Sequence, residues 1–260
     1  MEENKNIALV LTGTIKPTTD TTKYKDWKSR RREYLESLNY YSSFGKIYFL
    51  ENSDYDLEND KEFINIPNVV YRKFSKDKNN NHNIGYQEFK MLDDWILNEE
   101  NPPSRWIKLS GRYIIENFAE ILNQAQKSDK ELIMDLTINK RWADTYLFCI
   151  DTSFYKKNFA GIYVYCAPFV AIESVLYDSL CYYKLLDNIE FFKREPLFDV
   201  ISSKGYRRKR KGKIEKKIIN TWRAFNFRIY PSRLVFFPPF YIIRREITRI
   251  IEIKFKNKEG

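Results

Sequence analysis

The sequence predicts an α/β fold: a mostly parallel central sheet with helices on both faces, followed by a basic C-terminal helical extension. Three observations point there. Residues 7–11 (IALVL) are apolar at every position, as a strand buried on both faces requires. Strand-like and helix-like periodicities then alternate up to about residue 135, the pattern of a parallel sheet with crossover helices. Aromatic residues make up 17% of the chain, with 19 Tyr and 19 Phe, which favours packed sheets over a plain helical bundle.

Taken in order, the first strand is closed by Thr12, Gly13 and Thr14, and then by Pro17. Residues 22–40 place Tyr24, Trp27, Arg31, Tyr34, Leu35 and Leu38 mostly three or four apart, which predicts an amphipathic helix with the basic stretch 28–32 on its outer side. Residues 46–50 (KIYFL) form the second strand, ending in Glu51, Asn52, Ser53 and Asp54. The third strand is 68–74 (NVVYRKF), and 75–85 is a polar loop. Residues 86–97 put Phe89, Leu92, Trp95 and Ile96 on one helix face, and 101–103 break that helix. The fourth strand lies in 104–113 (SRWIKLSGRY). Residues 115–126 predict a third helix, 130–135 (KELIMD) and 146–150 (YLFCI) two further strands, and 171–186 a helix rich in Leu and Tyr.

Charge divides the chain in two. Residues 204–260 hold 18 Lys and Arg against 4 Asp and Glu, or +14, whereas the other 203 residues hold 27 against 31, or −4. A domain over 1–203 and a basic extension over 204–260 are therefore expected. The three cysteines, Cys149, Cys166 and Cys181, show no CxxC spacing and point to neither a structural disulfide nor zinc. The N-terminus carries no basic run before its short apolar segment, and no apolar run reaches 18 residues, so a signal peptide and a spanning helix are not expected.

The strand ends are best read together. Thr12, Gly13 and Thr14 end the first strand, Glu51, Asn52 and Asp54 the second, and Ser110, Gly111 and Arg112 the fourth. In an open α/β sheet these line one crevice, offering close backbone approach, acceptors for a base or ribose, and positive charge for phosphate. Lys108 adds a second cation beside Arg112. That is the composition of a nucleotide site. No GxGxxG or GxxxxGK[ST] is present, and the one histidine, His82, makes a Ser-His-Asp triad or a two-histidine metal site improbable.

The strand order and loop contents resemble the glycosyltransferase A (GT-A) fold of bacterial nucleotide-sugar transferases that build capsule or lipopolysaccharide. ALVLTGTIKP, KIYFLENSD, the helix after GYQEFK, WIKLSGRY and RWADTYLFCIDTSFY carry the resemblance, over about residues 7–190. It implies that Asn52 and Asp54, with Glu51 beside them, hold the nucleobase or ribose, and that the Thr12–Thr14 loop passes under the nucleotide. Such enzymes usually carry Asp-x-Asp at the end of the fourth strand to hold a divalent ion. Here Ser110-Gly111-Arg112 stands in that place, so no metal is assigned; a divalent ion is left open but not favoured, because an arginine can neutralise a leaving diphosphate directly. Asp54-Tyr55-Asp56 has the Asp-x-Asp spelling after the second strand, and reads as a turn or, alternatively, as a metal pair.

Glycosyl transfer with inversion also needs a group to deprotonate the acceptor hydroxyl. Asp144 and Glu173 are the candidates. Glu173 sits among Phe169, Val170, Ile172 and Val175, apolar company that suits proton transfer; equally, it is a helix N-terminal glutamate favoured by the dipole. Asp144 would equally cap, or pair with Arg141.

In the extension, Arg207, Arg208, Lys209 and Arg210 precede Phe236 and Phe237 and the pair Arg244 and Arg245, with Ile242, Ile243, Ile247, Ile250 and Ile251 on one side of a last helix. The pattern resembles an amphipathic anchor for an anionic membrane surface. The expected enzyme is thus a cytoplasmic glycosyltransferase, peripheral on the inner face of the cell membrane, with a nucleotide-sugar donor and a glycan or lipid-linked glycan acceptor. A nucleic-acid-binding protein using the basic aromatic segment is the alternative, and nucleic acid is the less favoured partner.

Overall fold

The computed structural model describes residues 7–18, 22, 24–77, 83–137, 142–167, 170–197 and 212–229. Its seven-stranded sheet runs β3 (Val69–Lys73), β2 (Ile47–Glu51), β1 (Ile7–Gly13), β4 (Arg105–Ser110), β6 (Trp142–Asp151), β5 (Leu132–Thr137), β7 (Ile189–Glu190). The pairs of β1 with β2 and β4, β2 with β3, and β5 with β7 are parallel; β6 runs antiparallel to both its neighbours. The sheet is mostly parallel, as expected. Period-two alternation sorts the central strands between two cores. Leu9, Leu11, Ile47, Phe49, Ile107 and Leu109 face α1 (Trp27–Tyr41) and α4 (Phe118–Lys127). Ala8, Val10, Tyr48, Leu50 and Trp106 face α3 (Ile84–Asn98), α5 (Thr152–Asn158) and α6 (Ile172–Tyr182). With helices on both faces, β1 is buried along its whole length, which is why its sequence does not alternate.

Several elements depart from expectation. Asp26 caps α1 by accepting from the Lys28 amide, so the helix begins at Trp27 rather than near 22. Its inward face is Arg30, Tyr34, Ser37, Leu38 and Tyr41, whereas Trp27 is exposed. The basic stretch is accordingly not all on the outside: Arg30 is buried, and Arg31 reaches across to Asp60, the N-cap of the short α2 (Lys61–Ile64). β6 begins at Trp142, four residues earlier than the apolar run 146–150, because its first residues pair with Leu136 and Thr137 beyond a bulge in β5. His82 and Arg141 lie outside the described residues. Cys149 and Cys181 are buried, and burial together with the nearby Glu173 carboxylate pushes the Cys166 thiol up to about 12.

The expected boundary between 203 and 204 falls in the undescribed stretch 198–211, and the residues expected to bind membrane, Arg207, Arg208, Lys209, Arg210, Phe236, Phe237, Arg244 and Arg245, also lie outside the described residues. Beyond that stretch, α7 (Lys213–Ile229) is fastened to the sheet. Lys216, fully buried, ion-pairs with Asp135 of β5 and with Glu195 (2.9 Å), and Arg223 meets Asp135 at 3.2 Å. Two cations and two carboxylates cancel, so the cluster can be buried. Among the described residues no helix is long and apolar enough to cross a membrane.

Both sets of ion pairs can be tested by substitution. Lys216→Met leaves two buried carboxylates facing Arg223 alone, and should lower unfolding free energy by about 3–5 kcal/mol in urea titration. For Asp60, burial favours the protonated acid, but the Arg31 guanidinium (Nε and Nη2 both at 2.7 Å) and the Tyr55 hydroxyl outweigh it and hold the carboxyl below its ordinary range. Such a group binds protons mainly in the unfolded chain, so its contribution is complete above about pH 4 and is lost as pH falls below that. Asp60→Asn should therefore lose less stability than the wild type between pH 6 and pH 3; an unchanged acid slope would refute the clasp.

Candidate active site

At the carboxyl ends of β1, β2 and β4 lies a cleft of about 250 Å³, lined by Thr12, Gly13 and Thr14, by Asn52, by Ser110, Gly111 and Arg112, and by Glu173. The loop after β1 is held from several sides. The Thr14 amide donates to Tyr34 Oη (2.8 Å), its hydroxyl donates to Asn52 Oδ1 (2.6 Å), and its carbonyl accepts from Arg30 Nε (2.9 Å) and Nη2 (2.6 Å). The Thr12 hydroxyl donates to Glu88 Oε1 at 2.6 Å and to the Leu109 carbonyl at 3.3 Å. A second cavity of about 450 Å³ adjoins the first, sharing Asn52 and Lys76 and adding Ser53, Asp54, Tyr55 and Phe74. An elongated polar ligand fits such a pair of chambers.

Eight of the predicted site residues come together here: Thr12, Gly13, Thr14, Asn52, Ser110, Gly111, Arg112 and Glu173. Asp54 opens instead onto the adjoining cavity, while Asp56 faces a third cavity and binds the Asn59 side chain at 2.8 Å, so the two acids of Asp54-Tyr55-Asp56 do not converge. Glu51 lies beneath the surface. It accepts from the amides of Ile15 (3.0 Å) and Ser53 (2.9 Å) and pairs with Lys73, stapling the loops after β1 and β2. Lys108 is fully buried, bonded to Glu88 Oε1 (2.6 Å) and to the Thr145 carbonyl (2.7 Å), and its charge is already matched. Asp144 is buried and is not among the cleft-lining residues; its neighbour Thr145 is.

The glycines serve packing. A Cβ on Gly111 would come within 2.8 Å of the Thr12 carbonyl oxygen and 3.1 Å of the Tyr34 ring, and one on Gly13 within 2.7 Å of the Phe49 ring. What Gly111 admits closely is thus β1 and α1. Gly85 plays the same part at the mouth, where a Cβ would run into the Ile172 side chain and push away the start of α6. Glu173 stands in the first turn of that helix and accepts from Thr145 Oγ1 at 3.3 Å, so its helix-N-terminal position and its cleft position coincide.

Cationic charge comes from three elements. Arg112 Nη1 binds Glu33 Oε2 at 2.7 Å, and its guanidinium lies 5.2 Å from the centre of the Tyr24 ring. Burial opposes that charge, but Tyr34 and Glu33 outweigh it and hold the Arg112 proton more firmly than usual. Arg30, from α1, and Lys76, from the loop after β3, complete the set. Sequence reasoning missed both, as well as Glu88; the only signal for Arg30 was its four-residue spacing to Tyr34 on the same helix face. The guanidinium at the end of β4 offers no ligand to a dication, which takes oxygen donors, and no group of three or more metal-binding side chains occurs among the described residues.

No family model matches the sequence, and no curated protein matches it. Among solved structures, the chain is similar to S. aureus TarS 1–349 in complex with UDP-GlcNAc, at 12% identity over 81% of this chain and 60% of that chain, TM-score 0.46. It is similar to the galactosyltransferase LgtC in complex with donor and acceptor sugar analogues, at 10% identity over 90% of this chain and 99% of that one, TM-score 0.43. It is also similar to 4-diphosphocytidyl-2C-methyl-D-erythritol synthase from Anaerococcus prevotii, at 8% identity over 85% and 99%, TM-score 0.44. Likeness at this level says nothing of chemistry, which the cleft itself must supply.

Gly85→Ala tests how the cleft mouth is built. Relieving the contact with Ile172 should cost about 1–3 kcal/mol in thermal or urea unfolding, and Ile172→Ala in the same chain should recover part of it. Independent, additive losses would show that α3 and α6 do not meet there.

Proposed function

We propose that the chain is a glycosyltransferase that moves a sugar from a nucleotide-sugar donor to an acceptor hydroxyl. One observation carries the reading: a single cleft at the carboxyl ends of β1, β2 and β4 gathers hydroxyl, amide and guanidinium groups together with carboxylates, Glu173 among them. The hydroxyl, amide and guanidinium groups suit the ribose and phosphates of a nucleotide. The Glu173 carboxylate suits the proton that an acceptor hydroxyl must lose. In a displacement with inversion, the acceptor oxygen bonds to the anomeric carbon, its proton passes to Glu173, and the bond to the phosphate oxygen breaks with its electrons leaving on the nucleoside diphosphate. Asn52 and the Thr12–Thr14 loop are assigned to donor binding, with Asp54 at the adjoining cavity. Thr145, bonded to Glu173, would orient the base.

The acceptor is proposed to be a surface glycan or its lipid-linked precursor, reached from an anionic membrane face. The concentration of +14 in residues 204–260 supports that placement. Because α7 is pinned to β5 through Lys216, a truncation that tests membrane contact should end after Ile229 rather than before residue 204. Loss of sedimentation with anionic vesicles, and no change with neutral ones, is the expected result.

Catalysis is tested by incubating the protein with a panel of nucleotide sugars and measuring release of nucleoside diphosphate. Glu173→Gln should slow turnover by about 10²–10⁴-fold while donor binding, read from thermal protection, is kept. Failure of every donor to bind or to be hydrolysed would overturn the assignment.

A further inference from the structure

Arg30 is only 5% exposed, yet it meets no acid among the described residues. Its guanidinium donates to the Thr14 carbonyl, to the Tyr24 carbonyl (3.4 Å) and to Tyr34 Oη (3.3 Å), all neutral oxygens. No carboxylate of the described residues lies within ion-pairing distance of it. The other deeply buried cations differ: Arg105, Lys108, Arg112, Lys216 and Arg223 each touch one. A charge held that far from water without a counter-ion is costly, and the cost falls when an anion arrives.

The surroundings point the same way. Arg30 lines the cleft, and its guanidinium lies 6.0 Å from the centre of the Tyr24 ring that Arg112 also approaches, so two arginines from different elements converge on one aromatic side chain. Lys76 lines the same cleft, its Nζ donating to Thr18 Oγ1 at 3.0 Å, and it too has no ion-paired carboxylate among the described residues. Burial lowers the proton affinity of Lys76; Glu51 and Asp54 partly offset this, and Arg30 lowers it further. The β4 turn, where a metal-binding acid pair would stand in the resembling family, offers Arg112 instead.

We propose that Arg30, with Arg112 and Lys76 beside it, binds the diphosphate of the substrate, so that guanidinium groups and not a divalent ion carry the negative charge of the leaving group. This rests on the glycosyltransferase reading for the word "leaving"; the anion site itself stands on the unmatched charge. As the anomeric carbon parts from the phosphate, its bonding electrons pass to the terminal phosphate oxygen, and the planar fork of an arginine can take that added charge on two nitrogens.

Calorimetric titration with inorganic pyrophosphate and with a panel of nucleoside diphosphates, in EDTA and in Mg²⁺, tests the proposal. Binding in EDTA should match binding in Mg²⁺ to within about twofold, and Arg30→Gln should weaken it by at least about tenfold, the usual worth of a hydrogen bond to a charged group. Arg72→Gln on β3, which breaks a pair with Glu99 at the end of α3, should leave it unchanged. If Arg30→Gln fails to fold because the Thr14 carbonyl loses its donors, Arg30→Lys and Lys76→Gln, each expected to weaken binding severalfold, take its place. Binding that requires Mg²⁺, or that survives these substitutions, overturns the proposal. Metal-free pyrophosphate binding without turnover of any nucleotide sugar would keep the anion site and remove the glycosyltransferase reading; turnover that needs a metal would do the reverse.

Discussion

The carbonyl of Thr14 receives two bonds from Arg30, and much of the cleft depends on that contact. It fixes where β1 ends relative to α1. Once the loop is held there, the Thr14 hydroxyl can reach Asn52 and its amide can reach Tyr34, which ties the ends of β1 and β2 to one helix. Tyr34 in turn packs against Phe49 and closes over Gly13 and Gly111, where there is no room for a side chain. The ends of three neighbouring strands are thereby locked in one geometry by a single arginine and a single tyrosine one helical turn apart.

Elsewhere in the cleft floor the arrangement is different in kind. The fully buried Lys108 pairs with the part-buried, cleft-lining Glu88, and this electrically closed pair is further satisfied by Thr12 and by the Thr145 carbonyl. Such a pair contributes little net stability against an apolar replacement, but it fixes α3 to the central strand β4 and leaves no unmatched charge there. Glu51 and Lys73 do the same beneath the loops of β1 and β2. Among the described residues, cationic charge left unmatched is concentrated at Arg30 and Lys76, so the polarity of the cleft is set by which of its cations have no ion pair.

Much of this was legible in the sequence, and what was not has identifiable causes. Continuous apolar runs gave β1 and β2 because strands covered on both faces need apolar residues at every position. The crevice at the strand ends followed from parallel order alone. The phase of α1 did not, because Tyr24, Trp27 and Arg31 suggest one face while the Asp26 cap and the Thr14 carbonyl select the next, with Arg30 inward. Lys108 read as a free cation because its partner Glu88 is on a helix 20 residues earlier, and alternation cannot reveal a buried pair. For the same reason α7 read as part of a basic, membrane-facing extension, although Asp135, inside an apparently apolar strand, and Glu195 draw two of its cations into the body.

Those two failures share a physical root that bears on function. From sequence, every basic residue near a strand end is a candidate anion contact, yet a cation already matched by a carboxylate gains less from a phosphate than an unmatched one does, so that Arg112 is the secondary contact and Arg30 the principal one. The Lys108 and Lys216 charges are matched, and Arg112 is matched by Glu33. Arg30 is held only by carbonyl and hydroxyl dipoles, which position its guanidinium without neutralising it. A preorganised charge of that kind needs little rearrangement when an anion binds, and interacts more strongly with it than an exposed arginine would, because water is largely excluded. The opening stretch of the first helix, rather than the turn after the fourth strand, is where the cleft keeps its uncommitted charge.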